Sequence, residues 1–388
     1  MSDREAQARR EAVRRVFSGE RPADVAAALD RSVRWIHKWL SRYDPGAPDW
    51  ANGASRAARH VANRTEPEIE AVVLEVRGRL AADPWSQVGA VAIAWELRKL
   101  GLDRVPELRT IERILARHGI RRRPRREQRI PKGTPYPATA ATAPNACHEA
   151  DLVGPRHLAG AIPFYALNVI DLGRRKLGSE ILASKADAEF GRGLLGAWSR
   201  LGLPERLKLD DQPGLAGGGR HLSGIVRLCL ALGVTPVFIP FREPWRNGVV
   251  EHFNDTFNRQ FFRAERFVDR EQLSARTLQF EAFHNGHHRY SALAGATPDE
   301  ATRRATGFVP RLPPRDLEIP ARLPEHGRVE FIRLIRSDRR LRVLTAEIEL
   351  PPGVIHEYVT AVLDVGAQHL TVDHRGELLE RLPFPIRP

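Results

Sequence analysis

The sequence predicts a multidomain chain: all-α helix-turn-helix units first, an α/β domain in the centre, and a small β-barrel or sandwich last. Three observations predict it. Apolar residues recur at helical spacing up to about residue 120, and near residue 146 the pattern changes to strand-like runs alternating with helices. An arginine block and a Pro/Ala/Thr stretch separate these two regions. From residue 306 a Pro-rich stretch ("FVPRLPPRDLEIPARLP") leads into five β-type runs.

Composition narrows the class. The chain has 388 residues, too many for one compact domain, and 42% are hydrophobic, enough for ordinary cores. Its 61 basic and 48 acidic side chains give a net charge of +13, which favours a polyanionic partner, nucleic acid first among them, although a basic surface also serves solubility. The two cysteines, Cys147 and Cys229, form no CxxC or CxxH pair, so neither a disulfide framework nor a Cys-ligated zinc site is expected. No apolar run reaches membrane-span length, and the charged first residues lack the core of a signal peptide. A soluble, cytoplasmic, nucleoid-associated protein of a GC-rich bacterium is expected.

Residues 1–60 read as a helix-turn-helix domain. "AVRRVFSG" places Val13, Val16 and Phe17 on one face, Pro22 opens "PADVAAAL", and a turn at Asp30-Arg31-Ser32 leads into "VRWIHKWLSRY". That last helix leaves Arg34, His37, Lys38 and Arg42 free for phosphates or base edges. The same pattern also fits a small helical bundle with a basic face. Residues 61–120 repeat the theme with three helices, the last spanning Leu108 to His118. Residues 121–145 are a basic arm and linker. Between 121 and 130 there are six arginines against one glutamate, among them Arg121, Arg122, Arg123, Arg125 and Arg126. Blocks of like charge do not pack, so the arm is either a contact for a phosphate backbone or a solvated linker.

Residues 146–305 read as strand, strand, strand, helix, strand, helix, strand, then two helices: a mixed sheet covered on both faces. Three carboxylates stand out in it. Asp151 lies inside the first strand, Asp210 ends the fourth, and Glu251 lies on the helix begun by "EPWRNGVVEHFNDTFNRQ". Val250, Phe253, Phe257 and Phe261 make the buried stripe of that helix, so Glu251 faces away from it, as do Asn247, Asn254, Asp255 and Asn258. Carboxylates converging from two strands and a helix suit Mg²⁺, a hard oxygen-seeking cation. Two such ions clamp the attacking and leaving oxygens of a phosphoryl transfer. The glycine-rich "GLAGGGRHLSG" lacks the Lys-Ser/Thr of a phosphate loop and reads as a flexible loop beside the acids. The histidines at 148, 252, 284, 287 and 288 read as surface or packing residues, and Asp171 as support for a turn.

Residues 144–305 resemble the catalytic core of the DDE transposases and retroviral-type integrases, most closely the bacterial insertion-sequence transposases with an integrase core. The family's third-acid motif appears as Pro244, Asn247, Gly248, Glu251, Phe253 and Asn254. Its second-acid turn appears as Asp210-Asp211-Gln212-Pro213, and its first acid as Asp151 after Pro144 and Asn145, with Gly154 following. The closing segment "HNGHHRYSALAGATPDEA" also resembles it, with Arg289, Leu293, Thr297 and Pro298 in register. Two positions depart from the family pattern: Glu149 in a strand usually aromatic-rich, and Asp211-Gln212 in place of Asn-Gly.

The resemblance implies a ribonuclease H-like fold for residues 146–305, helix-turn-helix units ahead of it, and a small β-barrel within 306–388. It implies metal-dependent strand cleavage and strand transfer at mobile-element ends, with Asp151, Asp210 and Glu251 holding two Mg²⁺ or Mn²⁺ ions. One ion, on Asp151 and Asp210, would activate water and later the DNA 3′-hydroxyl; the other, on Asp151 and Glu251, would stabilise the leaving 3′ oxygen. The implied partners are double-stranded DNA (element ends and target), further copies of the chain assembled on it, and an ATPase helper in some relatives. A non-catalytic DNA-binding regulator and a metal-dependent nuclease without strand transfer are the competing expectations.

Overall fold

The structure, a computed structural model, describes residues 3–52, 65–120, 134–137, 141–212, 214–314 and 317–387. It divides into two compact units, Met1–Arg64 and Thr65–Pro388. The arm arginines Arg121, Arg122, Arg123, Arg125 and Arg126 lie outside the described residues.

The first unit holds α1 (Asp3–Phe17), α2 (Pro22–Ala28) and α3 (Val33–Leu40). Proline at the first position of α2 fits a site that needs no amide donor. The Ser32 hydroxyl starts α3 by accepting the Trp35 N–H at 3.2 Å. Ala12, Val25, Ala26 and Ile36 meet at the centre. Phe17, expected inward, is the last residue of α1 and is 67% exposed, its ring 5.2 Å from that of Tyr43.

The second unit begins with α4 (Pro67–Ala82), α5 (Ala90–Lys99) and α6 (Leu108–Arg117), which close over Val73, Ile93, Leu97, Ile111 and Ile114. The α4–α5 connection carries Trp85. Its ring meets Phe261, Phe280 and Phe283 edge-on at 6.1, 5.5 and 5.6 Å, and its indole N–H donates to Glu265 at 2.8 Å.

The central α/β segment runs β1 (Cys147–His157), β2 (Pro163–Asp171), β3 (Leu177–Leu182), α7 (Asp187–Leu201), β4 (Arg206–Leu209), a hairpin of β5 (Gly217–Gly218) and β6 (His221–Leu222), α8 (Gly224–Ala231), β7 (Thr235–Phe238), α9 (Gly248–Thr256), α10 (Arg270–His287) and α11 (Pro298–Arg304). β1, β2 and β3 are antiparallel, whereas β4 and β7 run parallel to β1. Side chains alternate across the sheet. Ala150, Leu207 and Leu209 pack with α7 and α8, and Phe164, Ala166 and Ile170 pack with α9 and α10. The glycine-rich segment carries the short β5–β6 hairpin. Gly217, at φ +122°, lies where a Cβ would meet the His221 carbonyl at 2.1 Å.

The C-terminal strands differ from expectation. β8 (Arg328–Leu334), β9 (Arg340–Val343), β10 (Ala346–Glu349), β11 (Tyr358–Asp364), β12 (His369–His374) and β13 (Glu377–Pro383) are present. Among the described residues they do not close into the expected small barrel. β8, β11, β12 and β13 extend the core sheet to nine strands in the order β13-β12-β11-β8-β7-β4-β1-β2-β3, while β9 and β10 pair with each other as a separate two-stranded sheet. Closure needs the first and last strands to pair. Here β8 gives one edge to β11 and the other to β7, with Phe238 opposite Phe331 and their rings stacked at 5.4 Å. β7 would otherwise leave an open edge. The run "LRVLTAEIEL", expected as one strand, turns at Leu344 (φ +53°) into the β9–β10 hairpin.

Candidate active site

The three acids come from three elements that the fold brings together. Asp151 stands in β1 opposite Asn168 of β2, Asp210 follows directly on β4, and Glu251 lies in the first turn of α9. Period-2 alternation puts Glu149 and Asp151 on one face of β1, turned from Ala150, and Lys208 on the matching face of β4. That face carries α9.

Asparagines on either side of Glu251 tie the helix to the strands. The Asn247 amide donates to Asp210 at 2.7 Å, and the Asn254 amide donates to Asp151 at 2.6 Å. A polar chain continues behind Asn254. Asn168 donates to its oxygen at 2.8 Å, the Ser179 hydroxyl donates to Asn168 at 2.5 Å, and the Ser179 N–H donates to Glu281 at 2.8 Å. Arg200 closes the chain on Glu281 at 2.7 Å. Asn168 and Ser179 are buried, so the chain meets the requirement that buried polar groups be paired.

Charge accumulates among the acids. Burial pushes the Asp151 carboxyl above its usual range, opposed by hydrogen bonds from the Leu152 N–H and the Asn254 amide. Burial and then the negative charge of Asp151 raise Asp210 to about 6. Burial, then Asp210 and Asp151, raise Glu251 to about 7. The carboxylates thus feel one another. Among the described residues, however, no three His, Cys, Asp or Glu side chains are grouped closely enough to hold an ion as they stand. Asp151 and Asp210 line a cleft of about 250 Å³ together with Lys185, Asp187, Gln212 and Leu215.

The consecutive acids at 210 and 211 part company. Asp210 takes Asn247, whereas Asp211 pairs with Arg333 of β8 at 3.0 Å. The turn before α9 is also held from the C-terminal strands. The Tyr358 hydroxyl donates to Glu243 at 2.8 Å and accepts from Arg246 at 2.8 Å. Asp171 is fully buried and accepts from the N–H groups of Asn145 and Gly173, and Arg174 pairs with it at 2.5 Å, so it supports the turn between β2 and β3. His148, His284 and His288 are buried packing residues. In the first unit Arg34, His37, Lys38 and Arg42 are all exposed on α3 and just beyond it.

Sequence reasoning passed over Lys208 and saw in Glu149 only a departure from a pattern. Glu149 is 2% exposed and accepts from the N–H groups of Val249 and Val250, both at 3.0 Å, while Lys208 donates to it at 2.7 Å. Their strand parity with Asp151 and Asp210 was the available signal.

Residues 232–298 match the integrase core domain family, and residues 3–51 match a homeodomain-like domain family. A comparison with curated proteins found no match. Among solved structures, the chain is similar to the HTLV-2 integrase catalytic core domain in complex with magnesium, at 15% identity, covering 42% of this chain and 98% of that one, with a TM-score of 0.33. It is also similar to a chain of the simian T-cell lymphotropic virus intasome in complex with PP2A regulatory subunit B56 gamma, at 15% identity, 76% and 93% coverage and a TM-score of 0.38. The BIV integrase catalytic core domain gives 15% identity, 42% and 95% coverage and a TM-score of 0.32. The two domain matches, and not these low-scoring likenesses, carry the resemblance. Through an integrase core domain preceded by a homeodomain-like domain, the chain resembles the DDE-type transposases and integrases.

Proposed function

We propose that the protein is a DNA transposase or integrase that cleaves strands at element ends and joins them to a target, with Asp151, Asp210 and Glu251 as its catalytic acids. The observation that carries this is the tie between the three acid-bearing elements: Asn247 on Asp210 and Asn254 on Asp151, with Glu251 between them on the same helix. The integrase core match covers Glu251 and the motif around it.

The donor set fits a hard divalent cation. Asp151 raises the proton affinity of Asp210, both raise that of Glu251, and each asparagine bond leaves further oxygen lone pairs free on its acid. Asp151, Asp210 and Glu251 would hold Mg²⁺ or Mn²⁺, drawing closer together than they stand. When bound, such ions supply Lewis acidity to a phosphodiester and lower the pKa of water or a 3′-hydroxyl. The chain's own residues do the rest. Asn254 and Asn247 fix the carboxylate planes, partial burial limits the water around the acids, and Lys185 offers a cation at the cleft wall. The exposed α3 residues Arg34, His37, Lys38 and Arg42 would meet duplex DNA, and α3 would read element ends from a major groove. Arg121, Arg122, Arg123, Arg125 and Arg126 would add phosphate contacts. Several copies would assemble on the DNA.

The test is a strand-transfer assay with labelled duplexes carrying the element ends and a plasmid target. Joined product with a free flanking strand is expected. Cleavage without joining would make the protein a nuclease, and binding without cleavage would make it a regulator built on an inactive core.

A further inference from the structure

Glu149 is buried, charged and two residues from an acid, and the proposed chemistry gives it no task. It spans three elements at once. Its Oε1 accepts from Lys208 at 2.7 Å, and its Oε2 accepts from both Val249 and Val250 N–H groups at 3.0 Å. Glu149 and Lys208 are also partners in the parallel register of β1 and β4. One carboxylate therefore joins the strand of Asp151, the strand before Asp210 and the first turn of the helix of Glu251. The first N–H groups of a helix lack partners within it and favour a negative charge.

Burying a charge pair costs desolvation, and apolar side chains of similar size hold strands together as well or better. A side chain kept only for stability would not need this chemistry. Val249 and Val250 lie immediately before Glu251, so whatever fixes their N–H groups fixes where the Glu251 side chain starts. No other described side chain caps α9, and Asn247 at its N-cap is turned to Asp210 instead.

We infer that Glu149, held by Lys208, is a positioning residue that sets the height and rotation of α9 and so the place of Glu251 relative to Asp151 and Asp210. The inference rests on the strand-cleaving role proposed above. A displacement of about 1 Å in a catalytic group is enough to cost about 100-fold in rate.

The experiment uses full-length protein. Glu149→Met with Lys208→Met removes both charges without leaving one unpaired, and Glu149→Gln with Lys208→Met keeps an acceptor for the helix with no stranded lysine. Hydrogen exchange, divalent-cation-dependent cleavage of end duplexes and DNA affinity are measured for each. In the Glu149→Met/Lys208→Met variant the Val249 and Val250 amides should exchange at least about tenfold faster, β1 and α10 should exchange as in the wild type, and DNA affinity should stay within about threefold. Cleavage should fall about 100-fold, and Glu149→Gln with Lys208→Met should recover most of it. Unchanged exchange at Val249 and Val250 would overturn the inference, as would cleavage within threefold of wild type in the Glu149→Met/Lys208→Met variant. Acceleration spread over the whole unit would also overturn it, because Glu149 would then be a stability residue. If the wild type itself cuts no DNA, the strand-cleaving role falls, and local exchange at Val249 and Val250 alone decides whether Glu149 positions α9.

Discussion

Glu251 sits at about 7 and Asp210 at about 6 because burial and neighbouring negative charge both disfavour ionisation. For Glu251 the folded carboxyl binds its proton more tightly than the unfolded chain, whose ordinary value is 4.5. The stability this contributes is present below pH 4.5 and is lost as pH rises through about 7. Glu251→Gln cannot ionise there. Without divalent cation, its melting temperature should gain on the wild type between pH 5 and pH 8, and a parallel fall of both proteins would contradict the shifted carboxyl. Cations bind the ionised form, so Mn²⁺ should stabilise the wild type more at pH 8 than at pH 6, and Glu251→Gln should lose most of that difference. At the neighbouring turn, Asp210→Asn should lose cleavage by about three orders of magnitude or more. Asp211→Asn should keep it, since Asp211 is engaged with Arg333. The opposite pattern in the same assay would move the second ligand to Asp211.

Elements were legible in the sequence wherever periodicity was strong. The α9 stripe of Val250 and Phe253 is buried, and it continues into Phe257 and Phe261. The first β-type run placed Asp151 inside β1. Partners distant in the chain were not legible. Glu149 meets backbone amides 100 residues downstream, and an amide has no sequence signature. The turn at Leu344 carries no Asn-Gly or Asp-Gly, so one run became two strands unannounced. Nor does any local pattern say that β8 pairs with β7 rather than closing a barrel. That pairing has a cost attached to it. Phe331 is fully buried against Phe238, so Phe331→Ala should destabilise the second unit by about 3–5 kcal/mol in denaturant unfolding. A loss confined to the C-terminal strands, with the core unaffected, would mean that β8 belongs to a separate domain.

The same pairing matters for the whole molecule. The nine-stranded sheet makes the C-terminal strands part of the core rather than an appendage. A chain ending at residue 305 would bare the β7 edge and remove the Tyr358 hydrogen bonds to Glu243 and Arg246 ahead of α9. It should aggregate or unfold, whereas a chain with an independent C-terminal barrel would keep a folded core. DNA binding should be strongly salt-dependent. Replacing Arg121, Arg122, Arg123, Arg125 and Arg126 by alanine should flatten the slope of log affinity against log salt by about 0.9 for each phosphate no longer neutralised. An unchanged slope would make that segment a linker only. Replacing Arg34 and Lys38 should instead reduce preference for element ends over random duplex.

All of this rests on Asp151, Asp210 and Glu251 working as one site, and residues that act as a unit are not additive. The most direct measurement is single-turnover cleavage of end duplexes in Mn²⁺ by wild type, Asp151→Asn, Asp210→Asn, Glu251→Gln and the Asp151→Asn/Glu251→Gln double variant, all at saturating protein. Each single variant should lose cleavage by about three orders of magnitude or more at nearly unchanged or higher DNA affinity, and the double variant should lose no more. Cleavage near the wild-type rate in any single variant, or multiplicative losses in the double one, would contradict a shared three-acid site.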